Sequence, residues 1–227
     1  MAPVRPWRGV SAEERTAERR ERLLEAGLEV FATIGYASSS VREVCRAARL
    51  TERYFYESFA DREALLAAVS GRIVADFLAA VAPTLSLLES DLPRATREAA
   101  AALVGSLADD PRRARVLLVE TVGVSPAAED QRRAVFARLV AYLRGGAELA
   151  FGDRVRDSSD FELVARALIG AAQELLVAHV RGELAIPREE LVAGLARLFL
   201  TTAPLIAAPS GEKDPEPDRG ELRPCPN

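Results

Sequence analysis

The chain has 227 residues, 49% of them hydrophobic, 28% charged and only 6% aromatic. That length and balance can bury a sizeable core in one large domain or two modest ones, and they exclude global disorder. A net charge of -4 excludes a protein that coats nucleic acid by bulk charge, and leaves room for a small basic face on an acidic body.

Cysteine and histidine remove further classes. Cys45 and Cys225 lie far apart in the chain, and His179 is the only histidine. A disulfide framework, a thiolate zinc site and a two-histidine site are all disfavoured, so no metal and no cofactor is expected. The N-terminus lacks the apolar run of a signal peptide. The longest uncharged stretches, Phe77 to Leu88 and Leu198 to Gly211, fall short of the roughly 18 residues of a membrane span. The expectation is a soluble, cytoplasmic protein with no membrane partner.

Helical punctuation then runs along the chain. Ser11 with Glu14 forms a capping box, followed by Leu23, Gly27, Val30, Phe31 and Ile34 on one face, and Gly35-Tyr36 ends the helix. Ser40 with Glu43 forms a second capping box, opening a short helix that carries Val41, Val44, Cys45 and Ala48. Thr51 is placed to cap a third, and Asp61 a long fourth with Leu66, Val69, Ile73, Phe77 and Val81 at spacings of three or four. Asp91, Asp110-Pro111, Ser125-Pro126, Ser159 with Glu162, and Pro187 mark five further starts. Nothing alternates with period two, and no repeat is visible. The fold class is all-α, with about nine helices. The expected organisation is a flexible arm at 1–10, a helix-turn-helix domain at 11–60, a helical ligand-binding and dimerisation domain at 61–208, and a disordered tail at 209–227. That tail has five prolines and eight charges against one Leu, too little apolar surface to fold.

Two short helices joined by Ala48-Arg49-Leu50, after a longer one, have the layout of a helix-turn-helix, whose second short helix enters the major groove. The series Arg22-Leu23-Leu24-Glu25-Ala26-Gly27-Leu28-Glu29-Val30-Phe31, Gly35-Tyr36, Ser40-Val41-Arg42-Glu43-Val44, Leu50 to Phe59 and Asp61 to Leu66 resembles the DNA-binding domain of TetR-family transcriptional regulators. The resemblance covers about 45 residues with matching spacing. The rest of the chain fits only the family's architecture, a variable helical sensor and dimerisation domain. The resemblance implies a sequence-specific DNA-binding regulator, a repressor released from a palindromic double-stranded operator by a small molecule, working as a homodimer.

The resemblance also implies DNA contacts from Ser40, Arg42, Thr51, Glu52, Arg53, Tyr54, Tyr56 and Arg62. Phe55 and Phe59, spaced i, i+4, should face a small core with Phe31 and Val44, which turns Tyr56 outward toward a phosphate. Arg62 stands where many relatives carry a phosphate-contacting lysine. Arg53 either presents its fork to guanine or pairs with Glu57 at i+4. Arg53 and Tyr54 both depart from common family residues, as does Arg49, which replaces the usual turn glycine. Either Arg49 holds a strained positive φ beside the DNA backbone, or a slightly altered turn relieves it. Arg5 and Arg8 either enter a minor groove or belong to an unstructured terminus.

In the second half, Val74, Phe77, Leu117, Leu118 and Leu168 suggest an aliphatic cavity for a small apolar ligand, with Glu120 and Gln173 as orienting groups. Glu120 has the alternative of a solvent-facing position. The dimer interface is placed on the eighth and ninth helices, at Phe161, Leu168, Ala172, Leu175, Leu176, Leu191, Leu195 and Leu198. The competing classes are an all-α small-molecule carrier or enzyme with an incidental helix-turn-helix, and an architectural DNA-binding protein without a cavity. No paired carboxylates, phosphate loop or metal spacing favours catalysis.

Overall fold

A computed structural model describes residues 11–121, 125–156 and 158–207. The arm, the tail, Arg5, Arg8 and Cys225 lie outside the described residues. Among those described there are nine α-helices and no strand beyond a single antiparallel bridge between Val155 and Ala207. The helices are α1 (Ala12–Ile34), α2 (Val41–Ala48), α3 (Glu52–Ser58), α4 (Arg62–Val81), α5 (Leu92–Ala108), α6 (Pro111–Arg115), α7 (Pro126–Phe151), α8 (Ser158–Val180) and α9 (Arg188–Ile206). A 3₁₀ segment (Ala82–Leu87) extends α4, and α6 continues into a π-helical turn (Val116–Glu120).

The caps account for most of the helix starts. Ser11 and Glu14 close a reciprocal capping box on α1. The side chains of Asp61, Asp91, Asp110 and Ser125 each accept a backbone N–H at the start of their helix, and proline follows within the first turn of α5, α6 and α7. Three expectations need correction. Ser40 accepts from the Glu43 N–H but gives its own proton to the Glu43 carboxylate, so the box is one-sided. Thr51 makes no side-chain cap on α3. Since α8 begins at Ser158, Ser159 lies inside its first turn.

One apolar core joins the N-terminal helices to the remainder. Leu23, Phe31, Val44, Phe55 and Leu65 are each fully buried there, and the same cluster continues through Ile73, Val104, Val116, Leu176 and Leu195. Gly27 is needed where α1 crosses α4, since a Cβ at that position would meet the Leu65 side chain at 3.0 Å. This core runs across the boundary expected at residue 60. By length and composition, Arg62–Leu87 and Ser159–Val180 are apolar enough to cross a membrane, since such a span tolerates a charge or two that interrupts an uncharged run. In the fold, α4 packs against α1 and α5, while α8 is buried on one side only.

Candidate nucleic-acid interface and internal cavity

The turn between α2 and α3 keeps its tight geometry. Arg49 has φ 52° and ψ 46°, the only non-glycine residue with positive φ among those described. The altered-turn alternative is thereby overturned. Arg22, on α1, donates to the carbonyls of Ala48 (2.6 Å) and Arg49 (3.2 Å), capping the C-terminus of α2 with positive charge. The strained turn is tied to α1 rather than relaxed.

Phe55 on α3 and Phe59 at its C-terminal cap turn inward, with their tilted rings 5.9 Å apart between centres. Thr51, Glu52, Arg53 and Tyr56 face outward, with Tyr56 57% exposed. Arg53 is paired through Nε with Glu57 at 3.2 Å, yet its side chain remains 84% exposed. Such a surface pair is weak and readily exchanged for another partner. Tyr54 departs from the outward group: it is half-buried, with the Arg19 guanidinium 4.5 Å over its ring.

Helix α2 supplies the basic character. Arg42, Arg46 and Arg49 recur at i, i+4 and i+7 on its exposed side, and none has an ion-pair partner among the described residues. Of the three, Arg46 escaped sequence reasoning. The spacing from Arg42 was the available signal. Arg62, expected at a phosphate, has partners within the protomer. Its Nη1 donates to the carbonyl of Tyr36 (2.8 Å), to the hydroxyl of Ser39 (3.0 Å) and to the Ser39 carbonyl, and its guanidinium stacks 4.8 Å from the Tyr36 ring. In this position it clamps the turn between α1 and α2 onto the start of α4.

Behind this face lies a cavity of about 700 Å³, walled by α4, α5, α7, α8, α9 and the π-helical turn. Val74, Phe77, Leu117, Leu118, Leu168 and Gln173 are all in its wall. Glu120 is not. Its Oε2 accepts the Tyr36 N–H at 2.8 Å and its Oε1 meets Arg115 Nε at 3.2 Å, so the ligand-orienting role is corrected. Gly35 makes room for that contact: it has φ 84°, and a Cβ there would stand 3.3 Å from Glu120 Oε2. Two wall residues that sequence reading missed are Ser70 and Tyr142, whose hydroxyls are buried without a partner among the described residues. Ser70 continues the register of Leu66 and Val74 at spacings of four, which was the signal for it.

The expected dimer residues divide. Phe161, Leu168, Ala172, Leu176, Leu191 and Leu195 are each 5% exposed or less within one protomer, so they pack inward; the first four also line the cavity. Only Leu175 and Leu198 stay partly exposed. The reason is that α8 is apolar on both sides, and hydropathy alone does not tell which side meets the core. Its outer side carries Leu163, 71% exposed, with Ala167, Gly170 and Glu174, and α9 adds Leu205, 55% exposed.

Residues 23–69 match the family described as bacterial regulatory proteins, tetR family. A search of the curated proteins finds no match. Among solved structures, the chain is similar to the fatty acid degradation regulator FadR from Bacillus halodurans, at 19% identity and TM-score 0.68, over 80% of this chain and 94% of that one. It is similar to FadR from Bacillus subtilis in complex with stearoyl-CoA, at 16% identity and TM-score 0.67, over 80% and 97% respectively. A TetR-like transcriptional regulator from Rhodococcus sp. RHA1 aligns at 23% identity and TM-score 0.62, over 80% and 93%. What is shared with these proteins is the fold.

Proposed function

The chain carries the DNA-binding domain of the TetR family of bacterial regulatory proteins, and from that premise we propose that it is a cytoplasmic transcriptional repressor that leaves a palindromic operator when an apolar small molecule fills its cavity. The observation that carries this reading is the joining of an outward-facing α3 and a cationic α2 to an apolar cavity through α4 and the π-helical turn. The fold's likeness to a FadR bound to stearoyl-CoA supports a lipophilic effector in that space.

In this mechanism Arg42, Arg46 and Arg49 hold phosphates, which fixes register without reading sequence. Tyr56 reaches a further phosphate, Thr51, Glu52 and Arg53 meet the groove, and Arg53 exchanges Glu57 for a guanine edge. Two copies pair through the outer sides of α8 and α9, placing two recognition helices one helical turn apart, roughly 34–36 Å. A ligand that prefers a different α4 position changes that separation and lowers DNA affinity.

Footprinting of the purified protein on genomic fragments tests the reading. The expected result is a protected site with two-fold related half-sites. Binding that never exceeds its strength on random duplex would overturn it, leaving a helical carrier or enzyme with an incidental helix-turn-helix.

A further inference from the structure

We propose that the cavity takes an uncharged, mainly hydrocarbon molecule bearing one hydrogen-bonding group, held by the hydroxyls of Ser70 and Tyr142. This names the ligand class for the cavity, and it rests on reading that cavity as the effector site.

The polar atoms of the wall are sorted by what they already touch. The hydroxyls of Thr84, Thr96, Ser106 and Thr121 each donate to a backbone carbonyl one turn earlier, within 2.8–2.9 Å. Ser70 and Tyr142 do not, although both hydroxyl oxygens are buried. A buried hydroxyl without a protein partner is costly unless a water or a bound molecule supplies one. Ser70, 3% exposed, stands on α4, and Tyr142 stands on α7, which packs against α4. Burial also pushes the Tyr142 phenol above its ordinary value, so it serves as a neutral donor.

Charge in the wall decides the rest. Its ionic residues are Asp61, Glu63 and Arg132. Asp61 caps α4, Glu63 accepts the Ser125 hydroxyl, and Arg132 is forked on Glu129 at 3.0 and 2.6 Å. Two carboxylates against one guanidinium, itself paired with Glu129, leave the wall, among the described residues, with no net positive charge to meet a carboxylate or phosphate. An anion drawn into this space loses its water without gaining a counter-charge. A ketone, alcohol or ether loses little and gains a hydrogen bond from Tyr142 or Ser70. Gln131 and Gln173 are the other polar side chains of the wall; the rest is aliphatic and aromatic, and the volume suits a medium-sized lipophilic molecule.

The test is displacement of Nile red from the full-length protein at pH 8 by 2-undecanone, undecanoate and undecane. The ketone is expected to displace the dye at least about tenfold more effectively than undecanoate. Ser70→Ala combined with Tyr142→Phe should weaken the ketone roughly two- to tenfold for each hydroxyl removed and leave undecane unchanged. Both substitutions remove unpartnered atoms, so the variant should fold. Undecanoate matching the ketone, or a loss shared equally by undecane, overturns the proposal. So does absence of dye binding by protein that still footprints its operator, and that result spares the DNA-binding reading. Conversely, if the ketone binds as described but leaves the DNA complex intact, the ligand class stands and the repressor-release reading falls.

Discussion

Arg49 and Arg62 show how differently two arginines of this domain are held: one is exposed in a strained turn and the other is hydrogen-bonded within the fold. Arg49 occupies the left-handed region, where a side chain costs about 1 kcal/mol relative to glycine. Arg49→Gly should therefore raise stability by about that amount while lowering affinity for all duplexes alike. Urea titration and binding at several salt concentrations separate the two effects; unchanged stability would reject the strain. Arg62 has the opposite profile. Its Nη1 hydrogen bonds with Tyr36 and Ser39 hold the turn before α2, so Arg62→Ala should cost roughly 1.5–3 kcal/mol, a range typical of hydrogen bonds to a charged group. Arg46 has no ion-pair partner among the described residues, and Arg46→Ala should flatten the salt dependence of DNA binding by about one unit of slope per phosphate that it neutralises. An unchanged slope would remove it from the interface. The inward-facing Phe55 and Phe59 were legible from their spacing because that pattern is local. The commitment of Arg62 was not, since its partners lie 23 and 26 residues away.

At the scale of elements, the π-helical turn Val116–Glu120 faces two ways. Leu117 and Leu118 line the cavity, while Glu120 grips the backbone of Tyr36 in the turn that Arg62 also clamps. Just before it, Arg112 on α6 reaches Glu25 (3.1 Å) and Glu29 (2.8 Å) of α1, and this pairing holds the Glu29 carboxyl below its ordinary value. A ligand that displaces Leu117 therefore has a short mechanical route to the DNA-binding helices, one that does not pass along α4. Single π-helical turns are rare and frequent at functional sites, which fits a segment placed between the cavity and the N-terminal helices. Glu120→Ala should leave dye and operator binding in place but shrink their mutual effect, typically 5–150-fold in systems of this kind, toward unity. Calorimetry of 2-undecanone with and without operator measures that ratio; an unaltered ratio would return the coupling to α4 alone. Helix starts were readable in the sequence because a cap and its partner lie two or three residues apart. Glu120 was assigned to the cavity because its neighbours are apolar, and its actual partner is 84 residues away.

For the whole molecule, the continuous core and the exposed outer side of α8 set opposite expectations for two leucines of that helix. Leu176 is 2% exposed and belongs to the core that includes Leu195, so Leu176→Arg buries an uncompensated charge and should unfold the protomer. Leu163 is 71% exposed in a single protomer, beside the small residues Ala167 and Gly170 that permit close helix approach. If two copies pair there, Leu163→Arg should yield a folded monomer with unchanged helix content. Without a second recognition helix, the advantage of two linked half-sites disappears, and operator affinity should fall by about 10²–10⁴-fold. Affinity for a single half-site should stay as it was, because each domain keeps its own α2 and α3. Sedimentation at micromolar concentration, read together with circular dichroism, decides between the two leucines. A Leu163→Arg protein that remains dimeric and binds the full operator unchanged would move the interface off this side of α8.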